Sequence, residues 1–374
     1  TDIVEGRLHS PARRGLFKGM AATAALAFVG APADALAATA NYSGKLSPAK
    51  KRPARLGFDA VAKNMADAVS VPDGYSAAVL FRLGDPIAGN VPHFRNDGSD
   101  AAASFAHRAG DHHDGMHYFP LKSAARQAAL RNRGLLVINH EAITPSFLHP
   151  AGATSSGSGD SKVRTMPEEV LREFYVHGVS VIEVEQDAGG AWRYRQDSRY
   201  NRRIHTLSDM VLSGPAAGSA QMVTRYSPDG TRTRGTVNNC AHGTTPWNTY
   251  LTCEENYAGY FRRVAATDDP KRSANEIASF KRNGIAGAGR ELWATLTPDT
   301  PDDLYGRWNA EVRGAAATDD YRNVANTYGW VVEIDPFDPH SMPRKRTALG
   351  RFAHEGAWLA PARAGASQAP SCAK

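Results

Sequence analysis

A thiol at Cys240 and adjacent carboxylates at Glu254 and Glu255 fall within one stretch, VNNCAHGTTPWNTYLTCEEN, running from Val237 to Asn256. Neighbouring carboxylates raise each other's pKa unless a cation sits between them. With a thiolate in reach, the set reads as a metal site. The same residues also read as a solvated strand end beside a buried structural cysteine, and spacing leaves both open. Two further apolar runs end in a carboxylate, at Asn139-His140-Glu141 and at Ala353-His354-Glu355. Carboxylate oxygens are hard ligands that suit Ca²⁺, and a thiolate additionally suits a transition metal. A second concentration of ligand types is Asp111, His112, His113, Asp114 and His117. It admits a metal cluster if His113 and His117 share a helix face, although the surrounding Asp/Gly-rich run reads as a loop. Cys240 and Cys253 also admit a disulfide across a hairpin in an oxidising compartment.

These residues need elements to hold them. Trp247–Thr252 alternates as a strand, with His242-Gly243 and Pro246 breaking the run before it. GLLVINHE (134–141) is the clearest strand. Thr165-Met166-Pro167-Glu168-Glu169 starts a helix that ends near His177, with proline and acids in its first turn. Val179–Glu185, a turn at 187–190 and Ala191–Arg195 read as a hairpin. The remaining expectations are a short helix over Phe58–Ser70, a first strand over Ser76–Leu83, a loop over Val91–Gly115, and strands at Trp330–Asp335 and Arg346–Phe352. Tyr257–Asp320 reads as an insertion.

With 34 glycines, 22 prolines and few long helical patterns in 374 residues, the chain reads as all-β. VSVIEVEQ and WVVEIDPF, each followed by a basic return strand, are weak internal echoes. Hairpin repeats whose inner strands end at a shared centre suit a β-propeller with large insertions. The net charge of +6 comes without any Lys/Arg tract of the kind that binds nucleic acid, and it suits a small anionic substrate.

Residues 1–37 read as an export signal: Arg13-Arg14, an apolar run from Met20 to Val29 too short to span a bilayer, and Ala35-Leu36-Ala37 as a cleavage box. The arginine pair points to the twin-arginine machinery and so to a periplasmic or secreted monomer that folds, metal included, before export. Residues 38–57 read as a linker.

The twin-arginine signal, VPDGY…GDP, DGMHYFPL, GLLVINHE, SGPAAG, NNCAHGTTPWNTYLTCEEN and GRFAHEG together resemble the PhoX family of secreted bacterial alkaline phosphatases. The resemblance implies a six-bladed β-propeller that hydrolyses phosphate monoesters at a centre of Fe³⁺ and Ca²⁺. It implies Cys240 as the thiolate on iron, Glu254 and Glu255 as carboxylates shared by iron and calcium, and Glu355 as a further ligand. Glu141 joins them by its strand-end position, and Asn239 reads either as a donor to phosphate or as a turn former. Members of the family run longer, so 58–356 is expected to be a partial propeller, lacking a later phosphate-binding arginine and with an inactive fragment as one outcome. The Ala/Pro/Ser-rich end, 357–374, reads as a tail without strand pattern. The rival readings are a lactonase-like calcium propeller, which needs no thiolate, and a non-catalytic calcium-binding fragment.

Overall fold

The computed structural model describes residues 57–122, 129–360 and 370–373. Its strands are β1 (His113–Lys122), β2 (Ala129–His140), β3 (Ser155–Ser156), β4 (Val163–Arg164), β5 (Gly178–Gln186), β6 (Trp192–Tyr194), β7 (Arg202–Ile204), β8 (Asp209–Ser213), β9 (Arg232–Arg234), β10 (Asn239–Thr244), β11 (Tyr250–Glu254), β12 (Val331–Ile334), β13 (Arg344–Arg346), β14 (Gly356–Leu359) and β15 (Pro370–Ala373). The two longest helices are α1 (Pro167–Val176) and α2 (Ala274–Asn283). Residues 57–77 belong to a unit of their own and carry neither helix nor strand. The helix expected over Phe58–Ser70 is therefore absent. Met65 and Val69 lie open to solvent, and a segment with no buried face cannot offset the cost of helix nucleation.

The remaining unit, Ala78–Lys374, is built on two sheets. One runs β1-β2-β5-β6, with β7 on the same edge of β5 as β6 but further along, all antiparallel. The other runs β10-β11-β12-β13-β8-β9, antiparallel except where β13 meets β8. Among the described residues neither sheet closes into a ring. The β-rich expectation holds at the level of sheets.

β5 shows why these runs become strands. It is buried on both faces, and its alternation sorts Val179 and Val181 with Leu135, Val137 and Ile204, while Ile182 and Val184 pack with Ile138, Ile87 and Phe81. Phe81 thus serves packing, and the strand expected over Ser76–Leu83 is not formed. α1 begins at Pro167 as the sequence indicates. Its Phe174 enters an aromatic core with Tyr260, Phe261, Trp293, Tyr305, Trp308 and Tyr328. Most of that core comes from the span expected to be an insertion. That span is instead a packed layer of short helices, α2 among them, with Ser273 and Glu276 forming its capping box.

Three boundaries also differ. Trp247 lies exposed in the β10–β11 turn rather than in a strand, so the thiol-bearing segment is itself β10. The strand expected over Arg346–Phe352 lies earlier, as β13, and continues into a 3-10 turn at Thr347–Leu349. The end of the chain does pair, with β14 antiparallel to β15.

His177 ties α1 to the aromatic core: its Nδ1 meets the Glu173 carbonyl at 2.7 Å and its Nε2 the Tyr260 hydroxyl at 3.1 Å. Burial pushes its pKa down from 6.5 to about 4. The unfolded chain then takes up a proton that the folded chain refuses, so stability falls as pH drops through that window, by roughly 3 kcal/mol from this group. Urea unfolding at pH 7 and near pH 4.5 should show this loss, and His177→Asn, which cannot titrate, should show a correspondingly smaller pH dependence.

Candidate metal centre

The β1–β2 and β10–β11 hairpins meet where each departs from regular register. β1 slips between His113 and Met116 opposite the end of β2, and β10 slips between Asn239 and His242 opposite the end of β11. Such bulges turn a side chain that a regular ladder would direct elsewhere. Asp114 sits in the first and Cys240 in the second. Glu141 follows β2 directly, its backbone N–H donating to the His112 carbonyl at 3.0 Å. The ligand atoms of Asp114, Glu141 and Cys240 all lie within 4.8 Å of one another.

Backbone packing holds the two hairpins at this distance. A Cβ on Gly115 would lie 2.8 Å from the His242 nitrogen and 2.9 Å from the Cys240 carbonyl oxygen, so only glycine allows β1 to lie against β10. The Asn139 amide donates to the Cys240 carbonyl. The Tyr250 hydroxyl lies 2.8 Å from the Gly115 carbonyl and 3.0 Å from Asn139 Oδ1.

Glu255, just past β11, completes the group. Its N–H donates to the Asn238 carbonyl at 3.0 Å, its Oε2 accepts from the Asn256 side-chain amide at 2.6 Å, and the Cys240 thiol beside it draws its pKa down. Asn238 is buried at a φ of +50°, where its Oδ1 takes the Asn256 N–H and its Nδ2 lies 3.4 Å from Glu141 Oε1. One asparagine thus contacts the Glu141 carboxylate and the backbone of Glu255. Glu355, exposed before β14, repels Glu255.

The electrostatics are lopsided. Burial first, then Asp114 through hydrogen bond and charge, push the Cys240 thiol up to about 12. Glu255 is raised by burial and by Glu355 and Asp114, and Glu141 by burial and by Asp114 and Glu255. Arg290 draws both down without forming an ion pair to either among the described residues. A partly buried thiol among partly buried carboxylates, with no cation paired to them among the described residues, is a donor set that fits a metal ion.

The sequence-derived residues divide in two. Cys240, Glu255 and Glu141 are brought together, with Glu355 at the margin. Glu254 is not among them. It is fully buried on the other side of β11, with Oε1 accepting from Lys345 Nζ at 2.7 Å and Oε2 from the N–H groups of Gly329 and Trp330 at 3.0 and 3.2 Å. Asn239, paired with Glu254 across the hairpin, also faces inward, donating to Thr236 and Thr252 hydroxyls. Cys253 packs with Leu251 and Val331 in the core, and no disulfide joins it to Cys240.

Of the 111–117 run, only Asp114 belongs to the group. The run forms no helix, and His113 and His117 point apart along β1, towards Phe81 and His140 and towards Phe119 and His242. Asp111 accepts from the His112 and Thr144 N–H groups.

The model of the alkaline phosphatase PhoX family matches residues 56–367. The chain belongs to the PhoX family. Among solved structures it is similar to Pseudomonas fluorescens PhoX in complex with vanadate, a transition state analogue, at 39% identity and a TM-score of 0.67. That match covers 81% of this chain and 46% of the other, so the chain spans about half the length of the PhoX it matches. No curated protein matches the chain.

Glu254 and Glu255 should part company on mutation. Glu254→Gln leaves Lys345 as a buried unpaired charge and should destabilise the fold by roughly 3–5 kcal/mol in urea titrations. Glu255→Gln should change stability by less than about 1 kcal/mol, while bound metal, measured by elemental analysis, falls.

Proposed function

We propose that this chain carries the metal-holding part of an exported phosphomonoesterase, and that Asp114, Glu141, Cys240 and Glu255, with Glu355 beside them, hold its metal ions. The observation that carries this reading is the Asp114–Glu141–Cys240 group within 4.8 Å in a chain of the PhoX family. The sulfur suits iron and the carboxylates suit calcium, so Fe³⁺ and Ca²⁺ are the ions proposed. Glu254 is assigned a structural role in place of a ligand role, and so is Asn239. The two sheets are read as part of a six-bladed propeller, and residues 1–37, which lie outside the described residues, as the twin-arginine signal of a periplasmic or secreted monomer. Among the described residues no helix is long and apolar enough to cross a membrane.

Phosphomonoester dianions repel hydroxide, and metal ions at such a centre supply positive charge to the non-bridging oxygens and lower the pKa of water. The chain's own residues do the rest. Asn238 holds the Glu141 carboxylate and the Glu255 backbone, and the Asn256 amide holds the Glu255 carboxylate. Asn139 and Tyr250 fix the backbone that carries Cys240. The Cys240 proton must leave for the thiolate to bind, and a cation in its place would stabilise the thiolate against the burial and the Asp114 charge that together hold the thiol near 12.

Residues 38–374, purified without chelator, should contain iron and calcium and release phosphate from p-nitrophenyl phosphate, with vanadate inhibiting. Metal without turnover would confine the chain to a binding role, and folded protein without iron would sink the mechanism. Cys240→Ser should remove iron and nearly all activity; retained activity would favour the lactonase-like reading. Because binding releases the thiol proton, iron affinity should rise with pH by roughly tenfold per unit for each proton released.

A further inference from the structure

Beside the centre, and sharing Glu255 with it, opens a cleft of about 450 Å³ lined also by Asn256, Arg282, Arg290, Arg351 and Phe352. Its charge is the reverse of the centre's. Arg290 is seated by structure around it: its guanidinium lies 4.5 Å over the Tyr260 ring, its Nη2 donates to the Asn256 carbonyl at 3.0 Å, and its backbone N–H donates to the Gly259 carbonyl at 2.7 Å. A Cβ on Gly259 would come within 2.9 Å of that guanidinium, so the glycine makes room for it. Arg290 nevertheless forms no ion pair among the described residues, which leaves most of its donors open. Arg282, exposed in the last turn of α2, has no hydrogen-bond or ion-pair partner among the described residues. Arg351 is committed to the Tyr328 and Ala325 carbonyls and contributes charge alone. Among the described residues Glu255 is the only carboxylate on the cleft wall, and it belongs to the centre.

We infer that this cleft is the leaving-group subsite, and that it takes a leaving group bearing an anion of its own, a carboxylate or a second phosphate, against Arg290 and Arg282. The inference rests on the phosphatase reading and adds a substrate class to it. An ester anchored by its phosphoryl group at the Cys240–Glu255 side must extend from there, and the adjoining cleft offers planar, pre-oriented donors to an oxyanion. The ring of Phe352 and the amides of Asn256 and Asn283 would flank the intervening portion.

The metal-loaded protein would be assayed with 4-carboxyphenyl phosphate and 4-methylphenyl phosphate, which differ in leaving-group charge but little in size. The expected result is a kcat/KM at least about tenfold higher for the carboxylate ester, a preference that weakens with salt and collapses towards unity in the R282Q/R290Q double variant. No preference in the unmodified protein would overturn the inference. So would a double variant that loses activity on both esters by one factor while keeping their ratio. If neither ester is hydrolysed, the phosphatase reading fails on its own. The cleft is then judged by calorimetry with 4-carboxyphenylphosphonate and phenylphosphonate: tighter binding of the first, lost in the double variant, supports the anion subsite, and equal affinities overturn it.

Discussion

Everything at the candidate centre depends on backbone lying against backbone where Gly115 meets Cys240 and His242. Two hairpins from different sheets can bring short side chains such as Asp114 and Cys240 within ligand distance only if nothing separates their main chains. A methyl group at position 115 would occupy that contact. The hydrogen bonds of Asn139 and Tyr250 then set the orientation of the hairpins, using groups that must in any case find partners once buried. The bulges complete the arrangement, because a regular ladder would not deliver both side chains to one side.

This closeness carries an electrostatic cost. Four acidic groups and a thiol are gathered there, and burial together with their neighbours' charge shifts Cys240, Glu141 and Glu255 upward. Rigid support elsewhere offsets it. The aromatic core under α1 and the buried Glu254–Lys345 pair anchor the elements that lead into the centre. The ligands themselves contribute little to holding the fold.

The legible parts of the sequence were those governed by local periodicity. GLLVINHE, the helix opening at Pro167 and the VSVIEVEQ hairpin all form as their patterns indicate, because burial there follows alternation and capping directly. Cys240 and Glu255 were legible as chemistry. Asp114 was visible only as one member of a polar run, since the bulge that selects it over its neighbours arises from pairing with distant β2. Treating Glu254 and Glu255 as one unit overlooked that consecutive strand residues point to opposite faces. The span from Tyr257 to Asp320 resisted reading because its core is assembled from short turns whose aromatic residues have no single period.

The two-faced character of the β10–β11 hairpin acts as a register lock. Asn239 and Glu254 face inward, while Cys240 and Glu255 face the centre. A slip of one residue would strand Lys345 without its partner and push a metal-binding side chain into the core. The misregistered hairpin is therefore disfavoured by the buried ion pair before any metal arrives. Fidelity of the centre is thus proofread from behind, by residues that never touch what it holds.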